Sequence, residues 1–168
     1  MSVLRPFKAN DLFRFNNINL DYGITFYLTY LQRWSDLCFT QESPRGRLQG
    51  YILGKAEGAQ TEWHEYRRLS LARNMCQRLE FASDEIYKGY FVDLYVRCNN
   101  ALAIKMYEGM GYSVYRRVRE YYGNLGVGKG GRDEEDAFDM RKCLSRDMAQ
   151  RSIRSNGRDM IVSAHDVS

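Results

Sequence analysis

The feature that most limits the possible fold is a strand–helix–strand pattern in the second half of the chain. Residues 90–96, Tyr-Phe-Val-Asp-Leu-Tyr-Val, are aromatic and β-branched, which favours a strand. Asn99 or Asn100 can then cap a helix that ends at Gly111, since glycine is favoured just after a helix. A further extended run follows over 113–122. This pattern predicts a layered α/β or α+β domain, not a helical bundle or a β-sandwich.

The first half of the chain predicts helices and a hairpin. The sequence at 43–46, Ser-Pro-Arg-Gly, is typical of a turn, and it separates two extended runs. Apolar residues recur at helical spacing from Leu71 to Ile86 and predict a long helix. The other expected elements are a strand at 3–6, a helix that begins at Asn10 or Asp11, a helix over 25–33 and a last strand over 137–144.

A length of 168 residues suits one domain with one core. We expect this domain to cover residues 1–147. Residues 124–132 are rich in glycine and predict a mobile loop. Residues 148–168 are polar, so we expect a poorly ordered C-terminal tail.

Composition excludes several classes of protein. The four cysteines are scattered without a Cys-x-x-Cys pair, which indicates reduced thiols and no metal site. A net charge of +4 is mild and does not demand a nucleic acid. The N-terminus lacks an apolar signal core, and no run approaches the roughly 20 apolar residues that span a membrane. We therefore expect a cytoplasmic protein without a membrane segment.

The first candidate site lies where the long helix begins, at Arg67-Arg68-Leu69-Ser70-Leu71-Ala72. Backbone N–H groups at a helix N-terminus are unpaired and lie at the positive end of the dipole, so they suit a phosphate. Two arginines would add charge-assisted hydrogen bonds. The alternative is an ordinary solvated helix start, and the segment alone does not decide between the two.

The second candidate site is the helix between the late strands. Asn100 can hydrogen-bond a ligand at the helix start, and Tyr107 can donate a proton inside the domain. Alternatively, Asn100 only caps the helix and Tyr107 only packs in the core. We expect the helix to bury Ala103, Met106, Tyr107 and Met110.

Together the two segments resemble the GNAT superfamily of acetyltransferases. The shared order is Arg-x-x-small-x-Ala at a helix start, a strand, then Asn-x-x-Ala-x-x-x-Tyr-x-x-x-Gly-Tyr. One branch, the catalytic subunits of the NatB N-terminal acetyltransferase, is similar over residues 3–147. The strings that carry this closer likeness lie at 12–23, 50–58, 91–97, 112–116, 120–122 and 136–142.

The resemblance implies a GNAT fold, with a mixed central sheet flanked by helices. It also implies transfer of acetyl from acetyl-CoA to the α-amine of nascent chains that begin with Met followed by Asp, Glu, Asn or Gln. The implied partners are a helical-repeat auxiliary subunit and the ribosome, with no direct reading of nucleic acid. The apolar face over residues 12–31 is the expected docking surface for the auxiliary subunit.

The resemblance also assigns individual residues. Tyr107 matches the position that protonates the departing thiolate or positions the sulfur. The coenzyme-binding positions are Arg67, Arg68, Ser70, Ala72 and Asn100. The substrate-binding positions are Tyr22, His64, Tyr121 and Tyr122; packing alone is the alternative role for the three tyrosines.

The sequence departs from the family in three places. Between Trp63 and Arg67 it has too few residues for the core strand that the family carries there. We therefore expect one core strand to be missing, or residues 61–66 to take its place. Ser70 replaces a glycine that approaches phosphate closely, which predicts weaker coenzyme binding. The loop at Asp21 and Tyr22 is shorter than in the family and lacks an acidic residue that lies near the substrate amine there.

Two other functions stay open. One is a catalytically impaired paralogue that binds the auxiliary subunit without turnover, favoured by the missing strand and Ser70. The other is a basic RNA-binding module, suggested by Arg67-Arg68, Arg116-Arg117 and the arginines of the tail. No recognised RNA-binding motif supports the second, so an acetyltransferase is the favoured function.

Overall fold

The computed structural model describes residues 2–14, 23–57, 60–66, 69–122 and 136–167. The glycine-rich segment at 124–132 lies outside these ranges. The chain forms two compact units, residues 1–88 and 89–168. Each has its own sheet and its own buried residues.

The first unit contains a four-stranded antiparallel sheet in the order β1-β2-β3-β4. Its strands are β1 (Val3–Pro6), β2 (Cys38–Glu42), β3 (Leu48–Glu57) and β4 (Gln60–Tyr66). The predicted turn joins β2 to β3, and Gly46 adopts the positive φ of 74° that glycine tolerates. The hairpin prediction is therefore confirmed.

No core strand is missing from this sheet, and the alternative in which residues 61–66 take the place of the family's strand is the one that the structure shows. Gln60–Tyr66 forms β4, seven residues long, which pairs with β3 from Glu57↔Gln60 to Tyr51↔Tyr66. The prediction looked for a strand after His64, whereas Trp63 and His64 lie within the strand itself. The ten-residue β3 offers a row of N–H and C=O groups that need partners, and the residues before Arg67 supply them.

Two helices complete the first unit, α1 (Ile24–Arg33) and α2 (Leu69–Glu85). Helix α1 buries Tyr27 and Tyr30. The Tyr27 hydroxyl lies 3.1 Å from the hydroxyl of Tyr51 on β3, so the buried phenols satisfy each other. The expected early helix is a 3-10 turn over Ala9–Arg14, held by Asp11, whose Oδ2 accepts from Arg5 at 2.7 Å.

The second unit contains a sheet in the order β5-β7-β6-β8. Its strands are β5 (Phe91–Arg97), β6 (Ser113–Arg119), β7 (Ala137–Cys143) and β8 (Ile161–Ser163). Strand β7 is antiparallel to both β5 and β6, whereas β8 is parallel to β6. Helix α3 (Ala101–Glu108) connects β5 to β6, which confirms the strand–helix–strand prediction.

Two details of this unit differ from the sequence prediction. Helix α3 buries Ile104 together with Met106 and Tyr107, while Ala103 and Met110 are only half-buried. The extended run also stops earlier than expected, because Glu120 has a φ of 54° and turns the chain after β6. Among the described residues, no helix is long and apolar enough to cross a membrane.

The expectation of a poorly ordered tail is also corrected, because residues 148–167 fold against the second sheet. Asp147 starts the tail with a turn, in which its carboxylate accepts from the backbone N–H groups of Arg151 and Ser152 at 3.0 and 2.8 Å. The tail then reaches β6 through β8 and a hydrogen bond from Arg117 N to Met160 O at 2.7 Å. Polarity suggested fraying, but backbone pairing with β6 and the stacking of Arg154 on Tyr115 and of Arg158 on Phe138 hold this segment against the sheet.

Gly157 gives a direct test of the tail contact. A Cβ at this position would lie 1.7 Å from the carbonyl oxygen of Val114 on β6, so Gly157→Ala must push the tail away from the sheet. We expect a loss of about 1–3 kcal/mol in the free energy of unfolding, measured by chemical denaturation. Gly23→Ala is the control, because a Cβ there meets nothing within 4 Å. Equal stability of the two variants would contradict the packed tail.

Candidate active site

The start of α3 is fixed by its own cap. The Oδ1 of Asn100 accepts a hydrogen bond from the backbone N–H of Ala103 at 3.2 Å. This bond satisfies one of the unpaired donors of the first helical turn. The Asn100 side chain is exposed, so a ligand can reach it as well. The capping role is confirmed, and a role in coenzyme binding stays a prediction.

Tyr107 lies in the last turn of the same helix and is only 4% exposed. Gly111, with a φ of 93°, reverses the chain, and Tyr112 N then donates to the carbonyl oxygen of Tyr107 at 3.0 Å. The two rings meet edge to face, with centroids 5.8 Å apart and planes at 63°. Helix termination therefore fixes the ring that the sequence assigned to proton transfer.

Tyr121 and Tyr122 form an aromatic pair just after β6. Their ring centroids lie 5.1 Å apart at 84°. The Tyr121 ring stacks on Tyr95 of β5, with centroids 4.4 Å apart and planes 4° from parallel. The Tyr122 hydroxyl donates to the backbone oxygen of Tyr95 at 3.2 Å. Both tyrosines are thus held against β5, but a packing role and a substrate-binding role both fit this geometry.

The sequence reasoning missed the residues that support this pair. On β5, Tyr95 is partly buried, and its pKa is raised by burial and then by the nearby carboxylates of Asp139 and Asp93. The phenol therefore stays protonated at neutral pH. Asp139 is fully buried and accepts from Arg116 at 2.7 Å and from Arg141 at 3.1 Å. Polar residues at every second position of an apolar strand were the available signal.

The remaining predicted site residues belong to the first unit or fall outside the described ranges. His64 lies on β4, Ser70 lies in the first turn of α2, and Ala72 is buried in α2. Tyr22, Arg67 and Arg68 lie outside the described residues. The first turn of α2 carries no acidic residue, which leaves its N-terminus compatible with an anion. Within the described part of the chain, no group of His, Cys, Asp or Glu is arranged to hold a metal ion.

The fold identifies the class of protein. The order of strands and helices aligns with solved GNAT-type acetyltransferases even at low identity. One is Ard1 from Thermoplasma volcanium, with a TM-score of 0.69 at 17% identity, which covers 85% of this chain and 97% of that one. At such identity the likeness shows the fold alone. The protein thus has the fold of a GNAT acyltransferase.

Closer relatives identify the family. No protein-family model matches the chain. The catalytic subunit of the N-terminal acetyltransferase B complex of Schizosaccharomyces pombe is 50% identical over 185 positions, which cover 100% of this chain and 99% of that protein. The corresponding subunit of Saccharomyces cerevisiae is 41% identical over 194 positions, with 99% of both chains covered. Both alignments are longer than this chain, so these relatives carry residues that it lacks.

Solved structures agree with these relatives. The crystal structure of Chaetomium thermophilum Naa20 with a bisubstrate analogue has a TM-score of 0.86 at 34% identity and covers 99% of both chains. A NatB complex bound to a bisubstrate inhibitor has a TM-score of 0.79 at 32% identity, again with 99% of both chains covered. The chain therefore belongs to the family of NatB catalytic subunits, and it is an N-terminal acetyltransferase of that type.

The cap of α3 provides a test of the local geometry. Asn100→Ala removes the acceptor for the Ala103 N–H, and we expect it to lower the free energy of unfolding by about 0.5–2 kcal/mol. Asn100→Ser keeps a capping oxygen and should retain most of that stability. Hydrogen exchange at Ala103, together with denaturation, measures both effects. An Ala variant with unchanged exchange would show that the cap is not needed.

Proposed function

We propose that this chain transfers the acetyl group of acetyl-CoA to the α-amine of nascent polypeptides that begin with Met followed by Asp, Glu, Asn or Gln. The observation that supports this most is the likeness to NatB catalytic subunits over the full chain. Related structures were solved with bisubstrate compounds or with coenzyme A. We place this activity in the cytoplasm, where nascent chains emerge.

Two features of the first unit suit the coenzyme. Helix α2 is 17 residues long, and its N-terminal N–H groups can bind the pyrophosphate together with Arg67, Arg68 and Ser70. Strand β4 lies at the end of its sheet, and among the residues that the structure describes no further strand of that sheet pairs with its outer side. Such an edge can hydrogen-bond an extended amide chain such as pantetheine.

The second unit supplies the acid. The neutral amine attacks the thioester carbonyl, a C–N bond forms, and backbone N–H groups can stabilise the oxyanion. The C–S bond then breaks, the nitrogen gives up a proton, and the thiolate takes one. Tyr107 is the proton donor in this scheme, and fixing the sulfur by a hydrogen bond is its alternative role. A phenol ordinarily has a pKa of about 10 and a thiol a pKa of about 8.5, so a phenol is a weak but usable acid toward a thiolate.

The substrate N-terminus is assigned to four aromatic residues. Tyr121 and Tyr122 present two perpendicular rings from the turn after β6. Tyr22 and His64 are the matching positions of the first unit. The alternative of an impaired paralogue loses one of its two grounds, because β4 is present. Ser70 remains as a reason for weaker coenzyme binding.

An exposed apolar face of the first unit fits the auxiliary subunit. Ile24 and Leu28 lie one turn apart on α1 and are 54% and 43% exposed, while Tyr27 and Tyr30 are buried. Phe13, on the preceding 3-10 turn, is 79% exposed. Large apolar side chains that are exposed in this way are typical of a protein interface. We propose that the auxiliary subunit covers this face and brings the enzyme to the ribosome.

Tyr107→Phe tests the acid role in the complex with the auxiliary subunit. We expect kcat for a Met-Asp peptide to fall by about 100-fold with both KM values nearly unchanged, because general acid catalysis contributes at least this much. Tyr112→Phe keeps the edge-to-face ring contact and serves as the control. A rise in the KM of acetyl-CoA with little loss of kcat would instead indicate a positioning role. Absence of turnover in the unmodified complex would favour the impaired paralogue.

Leu28→Glu tests the docking face. A charge at this exposed position of α1 should leave the fold intact, but burying it in an interface is costly, so we expect at least about a 10-fold loss of affinity for the auxiliary subunit. Calorimetry with the purified subunit measures it. Phe81→Glu on α2, where the side chain is 61% exposed, is the matched control in the same unit. Equal affinity of both variants would remove α1 from the interface.

A further inference from the structure

Strand β5 carries two side chains that have no role in the scheme above and that contact both tyrosines of the late turn. Tyr95 and Arg97 are two residues apart, so they lie on the same face of β5. Tyr95 stacks under Tyr121, while the Arg97 guanidinium lies 4.0 Å from the centroid of the Tyr122 ring. Each of the two turn residues therefore rests on its own support from β5.

We propose that Tyr95 and Arg97 are positioning residues, which fix Tyr121 and Tyr122 in the orientation that receives the substrate N-terminus. The inference rests on the proposed function, in which those two tyrosines bind the peptide. It goes further, because it proposes that side chains of β5, and not the turn itself, set the orientation of the two tyrosines. Tyr95 and Arg97 act through the tyrosines and need no contact with the substrate.

The turn needs such support. Glu120 turns the chain with a positive φ, and its N–H donates to Asp136 Oδ1 at 2.9 Å. Beyond β6, Tyr121 and Tyr122 do not belong to a strand or a helix. Three contacts with β5 constrain the two rings. They are the near-parallel stack of Tyr121 on Tyr95, the hydrogen bond from the Tyr122 hydroxyl to the Tyr95 backbone oxygen, and the cation–π contact of Arg97 with Tyr122.

The support is itself rigid. Tyr95 pairs with Asp139 across the ladder, and Asp139 pairs with Arg116 on the other side. Arg116 hydrogen-bonds both the Asp139 carboxylate, at 2.7 Å, and the Tyr95 side chain. Arg141 contacts the same carboxylate. A buried charge network thus holds the Tyr95 ring at its hydroxyl end, while the strand holds it at its backbone.

The proposal makes a specific kinetic prediction for the complex with its auxiliary subunit. Tyr95→Leu keeps apolar volume but cannot stack, and we expect it to raise the KM of a Met-Asp peptide about 3- to 10-fold. The KM of acetyl-CoA should stay within about twofold, since Tyr95 is not among the positions assigned to the coenzyme. Tyr95→Phe retains the ring and should restore most of the peptide KM. Arg97→Ala should raise the same KM by about twofold or more, and it keeps the test open if Tyr95→Leu does not fold.

A double variant distinguishes positioning from direct binding. Tyr121→Ala removes the ring that Tyr95 supports. The double variant with Tyr95→Leu should therefore have a peptide KM close to that of Tyr121→Ala alone. Multiplied effects would show that Tyr95 acts independently and would overturn the proposal. Tyr115→Leu is the matched control, because this tyrosine of the same unit lies instead between Arg141 and Arg154, at 3.6 and 3.7 Å from its ring centroid. It should change neither KM.

The remaining outcomes separate the two levels of inference. If Tyr95→Leu and Arg97→Ala leave the peptide KM unchanged while Tyr121→Ala raises it, the β5 support is overturned and the substrate role of Tyr121 stands. If Tyr121→Ala also leaves that KM unchanged in an active enzyme, the late turn does not bind substrate, and the positioning role falls with it. Absence of acetyl transfer by the unmodified complex would count against the proposed function itself.

Discussion

A buried carboxylate determines how the second sheet is assembled. Asp139 lies on the middle strand β7 without exposure to solvent, and an unpaired charge there would cost several kcal/mol. Arg116 on β6 and Arg141 on β7 both pair with it. A shift of β7 by one residue would move Asp139 and Arg141 together to the face that carries Phe138 and Met140, and would leave Arg116 of β6 behind on the original face. The Arg116–Asp139 ion pair therefore favours a single register between β6 and β7, and β5 is paired with β7 in turn.

Local signals in the sequence predicted most of the strands and helices but few of the contacts between them. Asn100 and Gly111 mark the ends of α3 through chemistry within a few residues, so they were readable from the sequence. The stack of Tyr121 on Tyr95 joins residues far apart in the chain, and only the pairing of three strands brings them together. The order of the tail was missed for a related reason. Strand β8 is only three residues long, so its pairing with β6 leaves no periodic pattern in the sequence.

The fourth strand shows why likeness to a family can mislead about length. The correspondence with relatives assigned Trp63 and His64 to the segment before the strand, which left no residues for it. Backbone hydrogen bonding does not depend on this correspondence. The N–H and C=O groups of β3 can pair with any extended segment that lies beside them. Residues 60–66 meet this demand, and the sheet keeps four strands in a shorter chain. The segment that contains Trp63 and His64 therefore forms β4 itself.

The position of Tyr107 depends on the same buried carboxylate, although the two are on different elements. Helix α3 has eight residues and is too short to be stable alone, so its place is set by its buried side chains and by its two ends. It starts four residues after β5 ends at Arg97 and stops five residues before β6 begins at Ser113. Both strands are hydrogen-bonded to β7, which lies between them. Because Asp139 favours one register of β7, it also limits where α3 can lie, and the hydroxyl proposed for proton transfer is placed by a charge that takes no part in the chemistry.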